Sequence, residues 1–513
     1  MHSSRYLVLA AMIFAVAMMS VDQTIVAIAA PTIQRGLSLT STGLQWVINS
    51  YLLALAALFA LGGKVSDVVG HRRMVLVGTV GFALASVLCG ATPKGGAAET
   101  WLIVARILQG AFGALLFPAA LAIVFNSFEA RERGKALALF FGITGGLTSV
   151  GPIAGSFLLP WTWRAIFLIN VPVALIALAL TWRARPVDER RPTPIDVRGA
   201  LLVSAGMGLT ILGLQQAGQW GWSSLATWAC LAGGLAILAG FVAFELRTPN
   251  PLIDVRIFAH RGFAVDNVVM GLVYACFLPL FFFASVYAQV VLGDNAGKTG
   301  LYILVIFIGF ASASQIGGRI LDRRGARPDA VAGSALGVVG FYFWAERLQD
   351  GLGSQWPWII LAGAGIGLVL TPVTTDAVNR APRGSFGEVT GVTQTVRYFA
   401  ASLGLAVLGS VLISETRTKA ASSLAHLQIP TTTAARIVDS ISAGPGAEPH
   451  SGRASPVFAV IQHDFAQSTR IVYLAMAGIM AASFLVAVRR MERGVPAEVT
   501  EAPDVPVVSE TIS

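Results

Sequence analysis

Gly63-Lys64-Val65-Ser66-Asp67-Val68-Val69-Gly70-His71-Arg72-Arg73 and Gly318-Arg319-Ile320-Leu321-Asp322-Arg323-Arg324-Gly325-Ala326-Arg327 are one loop written twice. Gly63 matches Gly318, Asp67 matches Asp322, Gly70 matches Gly325 and Arg72 matches Arg327, each 255 positions on (318 − 63 = 255). Each copy joins two long apolar runs. A loop that recurs between equivalent runs marks a duplicated half, and apolar flanks of this length make it a parallel repeat across a membrane. Glycine lets two backbones approach, while an Asp at a helix junction caps free amides or pairs with a nearby Arg. The motif therefore predicts a latch that joins two helices at one membrane face and lets go when the halves rock. One copy alone would favour an ordinary basic turn with a capping Asp; two copies in register favour the latch.

The rest of the chain agrees with lipid as its solvent. It is 55% hydrophobic and 12% charged, with mean hydropathy +0.71, where soluble domains carry about 25% charged residues. Apolar runs near 7–30, 44–63, 74–91, 101–125, 136–159, 165–182, 199–216, 225–244, 263–290, 300–317, 330–345, 357–377, 388–413 and 471–488 each approach the roughly 20 residues that cross a bilayer. The fold class predicted is all-α integral membrane, with two six-helix pseudo-symmetric bundles and two extra central helices, about fourteen spans in all. The divisions expected are 1–185 for the first bundle, 186–261 for the inserted pair, 262–490 for the second bundle and 491–513 for a tail. Within the second bundle, 414–470 reads as a long external stretch with little periodicity, and both it and the tail as flexible. The first run carries an acid and ends near Pro31 without a small-residue cleavage site, so it reads as a retained helix.

Most of the 36 Lys and Arg fall at the termini and in alternate loops, among them Arg72, Arg73, Arg131, Arg133, Arg323, Arg324, Arg489 and Arg490. Basic loops stay cytoplasmic, so both termini are expected in the cytoplasm of a multi-pass cell-membrane protein. The net charge of +9 sits in short clusters between apolar runs, which argues against nucleic acid as a partner. Three dispersed cysteines make no disulfide framework, and the six histidines make no metal site. No Walker loop is present to bind a nucleotide, so the chain reads as neither an enzyme nor an ATP-driven pump.

Two charged residues stand inside the spans of the first half. An ionised carboxylate among apolar residues costs a few kcal/mol unless it is paired or faces a cavity. At 1.5 Å per residue, Asp22 and Arg106 lie about 12 Å and about 7 Å below the outer ends of their runs, within reach if the helices face. Asp22 is thus the candidate to take and release a proton, with Arg106 stabilising its anion in a way that changes as substrate arrives. A fixed ion pair that only holds two helices is the alternative. The second half has no such pair: 255 positions on stand Phe277 and Leu361. Its ninth span is aromatic instead, with Tyr274, Phe277, Phe281, Phe282, Phe283 and Tyr287, so proton chemistry reads as concentrated in the first half. Aromatic faces can hold lipophilic cations. Candidate substrate contacts are Trp46, Asn49, Gln109, Phe112, Tyr274, Phe277, Phe281, Gln394 and Arg397. Asp376 and Glu388, near span ends, read as solvated groups.

Several stretches carry a resemblance that covers nearly the whole chain. They are the paired loops, Val21-Asp22-Gln23-Thr24-Ile25-Val26 with Pro31, Arg106 with Gln109-Gly110 and Gly113, Gly151-Pro152 with Gly155, and Trp163-Arg164-Ala165-Ile166-Phe167 before Asn170-Val171-Pro172. In order and spacing they resemble the major facilitator superfamily, and within it the fourteen-helix drug:proton antiporter family of multidrug resistance type. The resemblance implies the major facilitator fold, no cofactor, and secondary active export of small lipophilic or cationic compounds driven by the proton gradient, from a monomer. It also implies that Gly151, Pro152 and Gly155 seal the central cavity of an antiporter. Export of an endogenous metabolite, lipid or siderophore, proton symport for uptake, and a non-transporting membrane sensor remain as rival readings.

Overall fold

The computed structural model describes residues 2–128, 150–186, 194–294, 296–350, 352–380, 386–426 and 456–494, with isolated positions between 136 and 147. Among these residues the chain is helical, without strands. Lipid offers no partner for a free backbone amide, so a spanning segment closes its hydrogen bonds within itself. The first bundle holds α1 (His2–Leu37), α2 (Ser41–Val69), α3 (His71–Gly90), α4 (Ala98–Ser127), α5 (Val150–Leu158), the short α6 (Ala165–Leu168) and α7 (Asn170–Ala184). Two further helices follow, α8 (Val197–Trp220) and α9 (Leu225–Glu245). The second bundle holds α10 (Arg261–Val290), α11 (Ala296–Arg324), α12 (Ala326–Glu346), α13 (Leu352–Asn379), α14 (Phe386–His426) and α15 (Pro456–Arg490).

Twelve of these segments are long and apolar enough to cross a membrane. Helix α12 has crossing length as well and fills the place of the span expected at 330–345. The span expected at 136–159 is described only from Val150 onward, as α5, together with a few isolated residues before it. The stretch 414–470 departs from its expectation at its two ends, because α14 continues to His426 and α15 begins at Pro456; residues 427–455 lie outside the described residues. Both helices outrun their apolar cores: a helix needs only its backbone ladder to persist beyond the bilayer, whereas hydropathy marks only the part in lipid.

The duplication extends well beyond the loop. Shifted by 255, the bounds of α2 become 296–324, those of α11. The same shift carries α3 to 326–345, against 326–346 for α12, and α4 to 353–382, against 352–379 for α13. Packing repeats too: α2 and α3 both lie on α4, as α11 and α12 both lie on α13. The bundles meet along α1 with α10, α2 with α14, and α5 with α11. In their most apolar stretches α1 and α10 are 78% and 83% buried, against 22% for α9, so the first pair is central and α9 is peripheral. The outside is apolar, with Leu84, Trp182 and Leu225 among its exposed side chains, as a surface wetted by lipid requires.

Small residues set the helix spacing. A Cβ at Gly62 would stand 2.1 Å from the Ala114 carbonyl oxygen, and one at Gly404 would stand 2.0 Å from that of Ala275. Neither backbone can retreat without opening its helix pair. We expect Gly404→Ala to destabilise the α10–α14 contact by about 1–3 kcal/mol, the usual cost of an overpacked core. The measurement is the unfolding temperature in detergent, and an unchanged value would show that this seam yields freely.

The inserted helices form a hairpin that touches both bundles. Gln215 of α8 is buried with its amide hydrogen-bonded to that of Asn49 on α2 at 2.6 Å, and Ser402 of α14 donates to the Asn49 oxygen. Gln219 donates to the Thr42 hydroxyl at 2.6 Å, and Arg417 of α14 donates to the Gly218 carbonyl at 3.2 Å. Helix α8 therefore stands at the α2–α14 seam with partners on each side.

Candidate functional site

Asp22 and Arg106 meet in the core of the first bundle. Arg106 Nη1 donates to Asp22 Oδ2 at 2.5 Å, with the two residues 1% and 0% exposed. Three further donors and acceptors fix the geometry. Gln109, one turn along α4, donates from Nε2 to Asp22 Oδ1 at 3.0 Å and accepts from Arg106 Nη1 at 2.6 Å. Asn170, at the start of α7, donates to Asp22 Oδ1 at 3.4 Å. Ser86 of α3 accepts from Gln109 at 2.7 Å and from Asn170 at 3.2 Å. Arg106 Nε donates to the Val47 carbonyl at 3.1 Å, and the guanidinium lies 4.2 Å from the Tyr51 ring centre. Helices α4 and α7 thus supply donors to one carboxylate, while α2 and α3 hold those donors in place. A buried charge so placed is tolerable because it is both paired and hydrogen-bonded.

The glycine of the fifth helix touches the same turn of α1. A Cβ at Gly151 would come within 2.0 Å of Thr24 Oγ1 and 2.9 Å of the Val21 carbonyl, and one at Gly155 within 3.3 Å of Ile25. Only a residue without a side chain lets α5 lie against the segment that carries Asp22. Pro152 lies in α5; its side chain is outside the described residues.

The halves are tied at the level of Asp22 and toward the end remote from the duplicated loops. Gln23 donates to the Tyr398 hydroxyl at 2.7 Å, and Tyr398 stacks on Phe59 at 5.3 Å. Ser285 donates to the Ile28 carbonyl at 2.9 Å, and Arg35 to Gln289 at 3.0 Å. At the loop end a cavity of about 60 Å³ opens between the bundles, lined by Gly63, Lys64, Asp67, Pro118, Leu252 and Gly391 among others. It has room for water but not for a drug-sized molecule.

The sequence profile described as Major Facilitator Superfamily matches residues 12–405. The chain belongs to that superfamily. It is therefore a multi-pass membrane transporter of the major facilitator fold. Among its relatives, the tetracenomycin C resistance and export protein of Streptomyces glaucescens is 34% identical over 78% of this chain and 74% of that protein. The puromycin resistance protein pur8 of Streptomyces alboniger is 35% identical over 76% and 78%. The multidrug resistance protein Stp of Mycobacterium tuberculosis is 30% identical over 96% and 94%. Among solved structures, an inward-facing, occupied bacterial homolog of the human lysosomal transporter Spinster superposes with TM-score 0.61 at 14% identity, covering 95% of this chain and 97% of that one. A D-xylose–proton symporter superposes with TM-score 0.60 at 12% identity, covering 95% and 98%.

Within this facilitator the other residues singled out from sequence take various places. Gln109 belongs to the cradle of the ion pair. Asn49 lies in the bridge to Gln215, with the Trp46 indole nitrogen 3.2 Å from the Gln215 amide. Phe112 packs on Gly81 of α3. The aromatic stripe is close-packed inside the second bundle: Phe277 stacks on Phe310 at 5.0 Å and Phe281 on Phe307 at 4.8 Å. Arg397 lies 4.3 Å from the Tyr274 ring centre and donates to Gln394 at 2.5 Å. In this conformation the aromatic groups fill space with one another.

At the duplicated loops, Gly70 and Gly325 join successive helices with φ of 113° and 77°, a region that favours glycine. Asp67 lies 3.7 Å from the His71 ring one turn on. Arg327 donates to the Val488 carbonyl of α15 at 2.6 Å, so the second loop is tied to its own bundle. Gly63 approaches Pro118 of α4, and Gly318 has open space beside it. Arg72 lies in the first turn of α3. The side chains of Asp322 and Glu388 are outside the described residues.

The expectation of a solvated Asp376 is corrected. It is 1% exposed and pairs with Arg380 at 2.7 Å, because α10 and the segment after α15 cover this helix end. Sequence reasoning passed over Ser86, Tyr51 and Asp266, and assigned Asn170 no task. Ser86 and Asn170 are uncharged, so the sequence held no signal that marked them as partners of the acid.

Proposed function

We propose that the chain exports lipophilic or cationic antibiotics and drugs from the cell in exchange for protons, by alternating access of its two bundles. The termini lie in the cytoplasm on this reading, as the basic loops suggest. The observation that carries it is the buried Asp22–Arg106 pair with its Gln109–Asn170–Ser86 cradle. Protonation removes the attraction between Asp22 and Arg106 and frees both amides; ionisation draws them back. The two charge states therefore favour different packings of α1 against α4 and α7, beside the Gly151 contact that fixes α5. Cargo and proton exchange when they prefer opposite states. With the duplicated loops inside, the present conformation is sealed toward the exterior by the Ser285–Ile28 and Arg35–Gln289 contacts. The resistance and export relatives support a drug or antibiotic as cargo.

The deciding experiment uses inside-out vesicles containing the full chain and a fluorescent lipophilic cation. An imposed pH gradient, acidic within, should drive accumulation beyond equilibrium, and a protonophore should abolish it. Accumulation confined to right-side-out vesicles would replace export by uptake. Gradient-independent equilibration of the dye would remove proton coupling.

A further inference from the structure

In the first bundle an acid on α1 meets a base on α4. The second bundle sets the same kind of encounter on the equivalent helices, α10 and α13, but close to the end bearing the duplicated loops. Asp266 lies in the second turn of α10, and Asp376 in the last turn of α13. Both are 1% exposed. Arg380 reaches back with Nε 2.7 Å from Asp376 Oδ2 and 3.9 Å from Asp266 Oδ2. Its other nitrogens are committed elsewhere: Nη1 donates to Glu492 at 2.6 Å and Nη2 to the Gly494 carbonyl at 2.9 Å.

Charge and hydrogen bonding fail to close in this cluster if every acid is ionised. Two buried carboxylates share one guanidinium, and Glu492, itself half exposed, competes for it. Asp266 Oδ2 and Asp376 Oδ1 have no donor among the described residues, yet both side chains crowd the same guanidinium nitrogen, at 3.9 Å and 2.7 Å. Two carboxylate oxygens both accept, so such an approach is repulsive unless a hydrogen lies between them. Among the described residues, the charged groups that face the pair are Arg380, just past the end of α13, and Glu492, from beyond α15. Burial disfavours the charged guanidinium, but the surrounding carboxylates raise the Arg380 pKa above its ordinary value, so it has no proton to give.

We propose that Asp266 and Asp376 hold one proton between them, making a second proton site in the bundle that lacks a counterpart of Asp22. The proton satisfies both orphaned oxygens and leaves one buried anion to balance Arg380. It comes from water at the loop end and returns there. Its loss leaves two adjacent anions that compete with Glu492 and Gly494 for Arg380, which links protonation to the hold on the segment after α15. The site is separate from the Asp22–Arg106 pair, so either can fail without the other.

Infrared spectroscopy of the full chain in lipid nanodiscs tests this through the C=O stretch of a protonated carboxyl. Difference spectra of wild type minus Asp266→Asn, and of wild type minus Asp376→Asn, should each contain one such band. Asn supplies an amide hydrogen to the remaining carboxylate, so no shared acid is needed in either variant. Wild type minus Asp22→Asn should lack that same band. Difference spectra without it for both Asp266→Asn and Asp376→Asn would overturn the proposal. Should either variant fail to fold, wild type alone decides. Its unfolding temperature should fall as rising pH removes the proton, and sodium at fixed pH should not restore it. Restoration by sodium would assign the orphaned oxygens to a metal cation and sink the proton site.

Discussion

Asp22→Asn is expected to abolish uphill export driven by a pH gradient while leaving downhill equilibration of the same compound. The amide has the shape of the protonated acid but cannot ionise, so one of the two charge states is lost. Gln109, Asn170 and Ser86 can still hold one another in place, and the bundle should fold. Coupling energies between linked ligands are typically about 1–3 kcal/mol, so accumulation should fall by about 5–150-fold. The measurement is accumulation in inside-out vesicles under a fixed gradient, beside exchange without one. Wild-type accumulation by the variant would leave Asp22–Arg106 as a pair that only holds two helices.

Arg106→Leu should be the most damaging single change to stability in the first bundle. It strands a fully buried carboxylate with two neutral donors, Gln109 at 3.0 Å and Asn170 at 3.4 Å. Breaking a buried pair from one side costs about 3–5 kcal/mol, because the remaining charge has nowhere to be solvated. Adding Asp22→Asn to that variant removes the stranded charge and should recover much of the loss. Unfolding temperatures of the four proteins in one detergent form a double-mutant cycle. Additive losses would mean that the two side chains act independently, contrary to their contact.

The duplicated loop proved a sound guide to the fold because the same register governs packing. Gly62, Gly78 and Gly110 recur 255 positions on as Gly317, Gly333 and Gly365, and each lies where another helix comes close. Asp22 and Arg106 were legible for a different reason: charge inside an apolar run is costly enough that it must be paired or facing a cavity. Uncharged polar groups carry no such flag. Ser86, Asn170 and Tyr51 were recognisable as partners only once α3, α7 and α2 were seen around the acid. The aromatic run of α10 likewise announces bulk without naming its neighbours, and Phe307 and Phe310 of α11 turn out to fill the space opposite it. Asp376 misled because distance from a span end measures depth along one helix, whereas burial depends on what packs across it. The same limit hid Asp266, a lone acid in the first turns of a long apolar helix.

The inserted hairpin has a consequence for the balance between conformers. Its hydrogen bonds with Asn49 and Thr42 of α2 and with Arg417 of α14 can all persist only while α2 and α14 stand side by side. Each such bond contributes about 0.5–1.5 kcal/mol net, and a contact present in one conformer but missing from the other tilts their populations by its full worth. On the alternating-access cycle proposed above, the hairpin is thus a counterweight that lengthens the time spent with this seam shut.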